Sequence, residues 1–298
     1  MMPSAFSAVN LSLLTPPDAV EALDFETIFS SMLADLRTRD PAFTALVESD
    51  PAIKILEVAA YRELILRQRV NDAVKAVMPA YAKGNDLDHI AALFGVARLT
   101  VTPADPETGA PAVNESDDDF RRRMVLAPEG YSVAGPEGAY IFHALTADAD
   151  VLDASVESPE PGEVLVSILS RTGDGEPAPE VVAAVANYLE NGSVRPLTDH
   201  VTVQAAEIIP YAVEAEITTF VGPDAAVVIA AAEARLAEYV ALSHRLGRDI
   251  TLSGLYAALH VEGVQNVELV APGADIEVAP NQAAFCTGMA VTYAGVGE

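Results

Sequence analysis

Apolar positions set out the first elements. Phe25, Ile28, Phe29, Met32, Leu33 and Leu36 recur at i, i+3, i+4 and i+7, the spacing of one helical face, and Asp24 stands where an N-cap belongs. Asp50-Pro51 is a cap followed by proline at the first helical position, and no breaker follows until Pro79. That stretch predicts a helix of about 28 residues, about 42 Å long. Its polar residues Arg62, Glu63, Arg67, Gln68, Arg69, Asn71 and Asp72 take up most of the circumference over two turns. They fit either a solvated face or one completed by a partner subunit. Gly84-Asn85-Asp86 then supplies a turn and an N-cap for a short helix carrying Leu87, Ile90, Ala91 and Phe94, ended by Gly95; Asp86 and Asp88 read as capping carboxylates.

Around these helices the periodicity changes. Residues 1–20 read as an extended arm able to dock on a neighbour, because Thr15-Pro16-Pro17 blocks a helix and Val9, Leu11, Leu13 and Leu14 lack a helical period. Residues 101–115, with three prolines and a glycine, read as an exposed connector or a loop structured only by neighbours. Ser116-Asp117-Asp118-Asp119 reads as a capping box with an acidic first turn, with Arg121-Arg122-Arg123 placed toward the opposite dipole end.

From Tyr131 helices and strands alternate: a helix over 136–147, strands near 152–156 and 164–169, a helix over 178–190 and a strand at 201–203. A second such unit begins with the alternation of Tyr211, Val213, Ala215 and Ile217 and continues into an Ala-rich helix over 224–244. Gly138-Ala139-Tyr140 with its following strand is echoed by Gly254-Leu255-Tyr256 and the strand over 264–270. The expected architecture is α+β and multidomain: the arm 1–20, a helical domain 21–100 with one long helix, a connector and short helix 101–130, and two small sandwich-like α/β lobes, 131–208 and 209–298, internally related. Each lobe should carry helices on one sheet face and leave the other for burial against a subunit.

Composition narrows the function. The 298 residues are 51% hydrophobic, contain no Trp and are 6% aromatic, so the cores rest on Ala, Val, Leu and Ile. Forty-four acids against seventeen bases give a net charge of -27, which repels phosphate and argues against nucleic-acid or anionic-membrane binding. Residues 131–298 hold 5 bases against 24 acids. That imbalance fits a solvated acidic surface or a face that meets a basic partner. Cys286 is the single cysteine, so no intrachain disulfide is expected and synthesis in the cytosol follows. The N-terminus lacks a basic region ahead of an apolar core, and the longest apolar candidate, residues 225–232, falls far short of the roughly 20 residues that span a bilayer.

Catalytic patterns are missing. No G-x-S-x-G, H-E-x-x-H, G-x-x-x-x-G-K or post-strand G-x-G-x-x-G occurs, and His89, His143, His200, His244 and His260 never recur at i+3 or i+4. Asp148, Asp150 and Asp153 have a calcium-loop rhythm without its glycine or distal glutamate. Gly173-Asp174-Gly175 reads as a turn.

Several stretches together are specific: Tyr61-Arg62-Glu63 running through Arg67-Gln68-Arg69-Val70-Asn71 into Gly84-Asn85-Asp86-Leu87-Asp88, Leu23-Asp24-Phe25-Glu26, the stretch 122–137, Ser170-Arg171-Thr172-Gly173-Asp174-Gly175, and Arg195-Pro196-Leu197-Thr198-Asp199. Over most of its length the chain resembles the J-type baseplate assembly proteins of contractile-tailed, P2-like phages. The resemblance implies a non-enzymatic wedge component of the virion's tail baseplate, without cofactor, metal, nucleic acid or membrane. Its partners would be other copies of itself, an I-type tail protein and a lysozyme-like wedge protein in a ring of sixfold symmetry. Its N-terminal helices would bundle with those of neighbours, and its C-terminal lobes would link adjacent wedges and help transmit the contraction trigger. The contact residues expected are Tyr61, Arg62, Arg67, Arg69, Asn71, Asp86, Asp88, Arg171 and Arg195. Rival readings are the same part of a phage-derived contractile bacteriocin or injector, a metal-dependent hydrolase built on the acidic clusters, and a receptor-binding tail tip, which scarce aromatics disfavour.

Overall fold

The computed structural model describes residues 23–45, 47–192, 194–222 and 224–297, with Leu11, Leu14, Thr15 and Pro17 ahead of them. Most of the expected arm over 1–20 lies outside the described residues. Two compact units divide between Ala97 and Arg98.

The first unit is helical. Asp24 caps α1 (Phe25–Arg39), its carboxylate accepting the amide of Thr27 at 3.0 Å. Asp50 caps α2 (Pro51–Ala76) by accepting the amide of Ala52 at 2.8 Å. α2 runs 26 residues, about 39 Å, and ends three residues before Pro79. α1 packs on α2, yet of its apolar face only Ile28 is fully buried. α3 (Gly84–Ala92) buries Leu87 and Ala91. Its N-cap is Lys83, without a side-chain cap bond, which corrects the capping role expected of Asp86 and Asp88: the helix begins at Gly84, so both carboxylates already stand inside it.

In the second unit the expected connector is instead a hairpin. β1 (Thr100–Thr102) pairs antiparallel with β2 (Val113–Asn114). The turn between them is closed from within, because the Asp105 carboxylate accepts the amide of Glu107 at 2.8 Å and the hydroxyl of Thr108 at 2.7 Å. α4 (Asp117–Leu126) follows, with Ser116 as the expected N-cap accepting the Asp119 amide at 3.2 Å.

Two three-stranded mixed sheets complete the chain. The first lobe holds α5 (Glu137–Ala147), β3 (Val151–Glu157), β4 (Glu163–Ser170), α6 (Pro179–Leu189) and β5 (His200–Ala205). Its central β4 runs antiparallel to β3 and parallel to β5. Tyr140, Ala144, Val166, Ile168, Val185 and Leu189 form its core. The second lobe holds β6 (Glu207–Phe220), α7 (Ala225–Ser243), α8 (Leu252–Leu259), β7 (Val264–Ala271) and β8 (Gln282–Gly297). Its central β6 is antiparallel to β7 and parallel to β8. The echo of Gly138 to Tyr140 in Gly254 to Tyr256 falls on equivalent parts, since α5 leads into β3 as α8 leads into β7, each an antiparallel edge. The helix-and-edge-strand segment precedes the central strand in the first lobe and follows it in the second.

The lobes differ in what covers the second face of the sheet. In β6, Val213, Ala215 and Ile217 are buried while Glu214 and Glu216 face solvent, the one-sided cover that alternation predicts. In β4 the run Val166 to Ser170 is buried on both faces, because Leu169 and Leu152 meet Ala206, which links β5 to β6, and Ile208, Leu246 and Ala283 on or beside the second sheet. The face expected to await another subunit is therefore partly used inside the chain. Gly175, at φ +104°, permits this approach: a Cβ there would stand 2.6 Å from Leu169 Cδ1 and 2.8 Å from His244 Nε2. Among the described residues no helix is long and apolar enough to cross a membrane.

Leu236 on α7 is fully buried against β6, whereas Val227 on the same helix is exposed. Leu236→Ala should lower unfolding free energy by about 2–5 kcal/mol. Val227→Ala should stay within about 0.5 kcal/mol of the parent in chemical denaturation.

Candidate subunit interface

On α2 the exposed side is apolar as well as polar. Ile55, Val58, Leu66 and Val70, with Val77 at its C-cap, are all exposed, the first at 69%. At about 100° per residue these five, with Arg62, Arg69 and Ala73, fall within an arc of about 120°. Arg62 and Arg69 interrupt this stripe, so the spacing along the sequence gives a largely polar circumference. Contiguous apolar surface of this kind is what protein–protein contacts bury. Burying one such side chain yields about 1.5–3 kcal/mol.

The nine expected contact residues separate into two groups. Tyr61, Arg62 and Arg69 are exposed on α2, Arg62 and Arg69 within the apolar stripe and Tyr61 beside it. Arg67 is exposed too, its guanidinium bound to Glu63 at 2.6 Å one turn back. Asp86 is exposed and Asp88 half-buried on α3. Asn71, Arg171 and Arg195 make their contacts within the chain. Asn71 is only 4% exposed. Arg195 donates to the Asp199 carbonyl at 2.7 Å and organises the loop before β5. Arg171 belongs to the ionic group described next.

Within residues 98–297 charged side chains from β3 and from the segments that follow β2, β4 and α7 converge on α4. Asp119 receives Arg171 of the first lobe at 2.5 Å and Arg245 of the second at 3.3 Å. Arg122 binds Asp153 at 2.6 Å, and the other oxygen of Asp153 accepts the amide of Leu246 at 3.1 Å. Arg123, 2% exposed, forks onto Glu115 at 3.1 and 2.7 Å. The three arginines expected to sit at a dipole end thus point in three directions, Arg121 taking Asp118 at 2.6 Å. Only their neighbours in space distinguish them.

Burial pushes the Asp119 carboxyl upward, but the hydrogen bond and charge of Arg171, the Ser116 hydroxyl and the charge of Arg245 outweigh it and hold the group below the ordinary carboxylate range. Burial pulls the Arg245 guanidinium down, while Asp153 and Asp119 oppose that shift. The cleft lined by Glu115, Asp119, Arg122, Arg123 and Arg171 is about the size of one water, too small for an organic substrate.

The acidic residues that suggested other chemistry disperse. Asp148 accepts the Asp150 amide at 2.9 Å, Asp150 takes the Ser170 hydroxyl at 2.5 Å, and Asp153 binds Arg122. Among the described residues no three His, Cys, Asp or Glu side chains come together as metal ligands would.

Glu115→Gln leaves the buried Arg123 charge short of its counter-ion and should cost about 3–5 kcal/mol of stability, read by chemical denaturation. Asp119 titrates lower folded than unfolded, so its contribution is complete above the unfolded pKa of about 3.9 and disappears as pH falls through the folded value. Asp119→Asn should therefore be less stable than the parent at neutral pH. Its denaturation midpoint should also fall less steeply between about pH 5 and pH 2.

Known proteins match along this whole arrangement. The Baseplate J-like N-terminal domain corresponds to residues 48–105, the Baseplate J-like central domain to residues 132–205, and the Baseplate J-like protein C-terminal domain to residues 211–292. Baseplate protein J of Escherichia phage P2 is 49% identical over 299 residues, taking in 97% of this chain and 99% of that protein. A chain in the sixfold-symmetrised cryo-EM structure of the anti-feeding prophage baseplate is 16% identical, with a TM-score of 0.41. That alignment covers 60% of this chain and 42% of the other, so the present chain spans less than half of its length. With three domains of one family in sequence order and a relative identical at 49% of positions end to end, the chain belongs to the baseplate J-like protein family.

Proposed function

We propose that this protein is a structural component of a contractile-tail baseplate, a wedge protein whose output is association with other subunits and whose role is non-enzymatic. The observation that carries this reading is the end-to-end match to Baseplate protein J of Escherichia phage P2. The exposed apolar stripe of α2 supports it, since a helix of 26 residues with four large apolar side chains of one stripe in water, and Val77 at its C-cap, is a helix short of a partner.

In this reading α2 bundles with helices of neighbouring subunits, and the C-terminal lobes join adjacent wedges into a ring of sixfold symmetry in the virion tail. The partners are further copies of this chain, an I-type tail protein and a lysozyme-like wedge protein. Arg62 and Arg69 set partner choice, because each stands inside the apolar stripe and demands an acceptor once water leaves. The ring holds a two-state choice: many subunit contacts keep one arrangement, and receptor engagement favours an expanded one that releases the sheath.

Arg62→Glu combined with Arg69→Glu should leave the isolated chain folded, with an unchanged thermal transition, while electron microscopy shows no assembled baseplates. Leu66→Asp on the same face should weaken association more than tenfold. Soluble, monodisperse variants that still build intact baseplates would overturn the proposal.

A further inference from the structure

β8 has a feature that the fold does not use. Residues 282–297 contain no Asp, Glu, Lys, Arg or His, although a chain with a 20% charged share would place about three such charges in a strand of 16. Among the described residues the strand is an edge: it pairs only with β6, and its outer side meets a single bridge, between Leu246 and Ala283, near its start. Edges are ordinarily protected by charge, as the opposite edge β7 is by Glu268. Bulges at Thr287 and Ala294 bracket one regular run, Gly288 to Tyr293. Within that run Met289, Val291 and Tyr293 lie opposite Val213, Ala215 and Ile217, so they share the face that α7 and α8 cover over β6. α7 packs on β8 and Ala283 and Ala284 are buried near its start, but the cover gives out farther along the strand, leaving Met289 47% and Tyr293 48% exposed on what is otherwise a core face.

We infer that β8 is a docking strand for β8 of a second copy, paired antiparallel about a two-fold axis through Val291, so that two three-stranded sheets become one of six. This rests on the baseplate reading above and names the surface by which the C-terminal lobes of two copies meet. Electrostatics selects the occupant. Residues 131–298 carry 24 acids against 5 bases, so two copies meet at least cost along a neutral strip, and β8 is that strip. Glu214 and Glu216 on β6 of the two copies would stand about 14 Å apart, three strand spacings, beyond the screening length of about 8 Å in physiological salt. The strand is also complementary to itself: the axis sets Met289 against Tyr293 of the second copy in both directions, a sulfur–aromatic pair on the uncovered face, with Val291 against its own counterpart.

The test uses Val291→Cys in a Cys286→Ser background, built into assembled baseplates and oxidised. The axis would bring the two Cα atoms to about 4.5–5.5 Å, within disulfide reach. A disulfide-linked dimer of this chain is expected, and none from Val270→Cys on the opposite edge. Adding Met289→Lys and Tyr293→Lys should abolish the dimer band and weaken self-association of the isolated chain at least tenfold in sedimentation, with its thermal transition unchanged. Baseplates that contain the chain without forming the dimer, or a cross-link to a different protein, would overturn the pairing and leave the baseplate reading intact. A chain that enters no baseplate, even without substitutions, would overturn both.

Discussion

The carboxylate of Asp119 is held by arginines from both C-terminal lobes. It lies on α4, away from bulk water, and is reached by Arg171 from the first lobe and Arg245 from the second. Two unit charges about 4 Å apart gain roughly 4 kcal/mol at an effective dielectric near 20. Removing them from water costs several kcal/mol per ion. The group therefore adds little net stability and acts as a geometric constraint, because any other disposition of the lobes would leave charges buried and unpaired. Asp153, shared between Arg122 and the Leu246 amide, repeats the device a few residues away.

Fixing the two lobes in this way decides which surfaces remain for others. Leu169 and Leu152 are spent on Ala206, Leu246 and Ala283, so part of the first sheet's second face is closed. The second sheet keeps an open acidic face bearing Glu214 and Glu216 and an open neutral edge along β8. In the other unit, α1 covers one side of α2 and leaves a stripe of apolar residues in water. Exposed apolar surface of this kind is compatible with a structural component of a baseplate. The most concentrated group of ionisable side chains encloses about one water.

The relation between the lobes shows how one packing solution can be reached by two chain paths. A central strand needs one antiparallel and one parallel neighbour with two helices on a face, and the order in which the chain visits them is secondary. That is why a short sequence echo identifies equivalent elements although they occupy different places in the order.

Much of the secondary structure was legible from residue spacing, because local rules decide it. Asp24, Asp50 and Ser116 cap helices wherever they occur ahead of an apolar period, and alternation from Tyr211 to Ile217 marks a half-covered strand without knowledge of what covers it. The family was legible for the same reason, in short motifs that survive in order. What sequence could not assign was which polar residue faces outward. Asn71 and Arg69 are two positions apart on one helix, yet one is buried and the other exposed, and Arg121, Arg122 and Arg123 differ only in the carboxylates that the fold brings to them. The hairpin at 100–114 and the edge β8 also escaped, the first because Asp105 closes its turn with side-chain bonds, the second because an Ala-, Gly- and Thr-rich strand has almost no alternation to read. Spacing along the chain thus determined the elements and their faces. Only the tertiary structure decided partners, since burial and ion pairing depend on residues tens or hundreds of positions away.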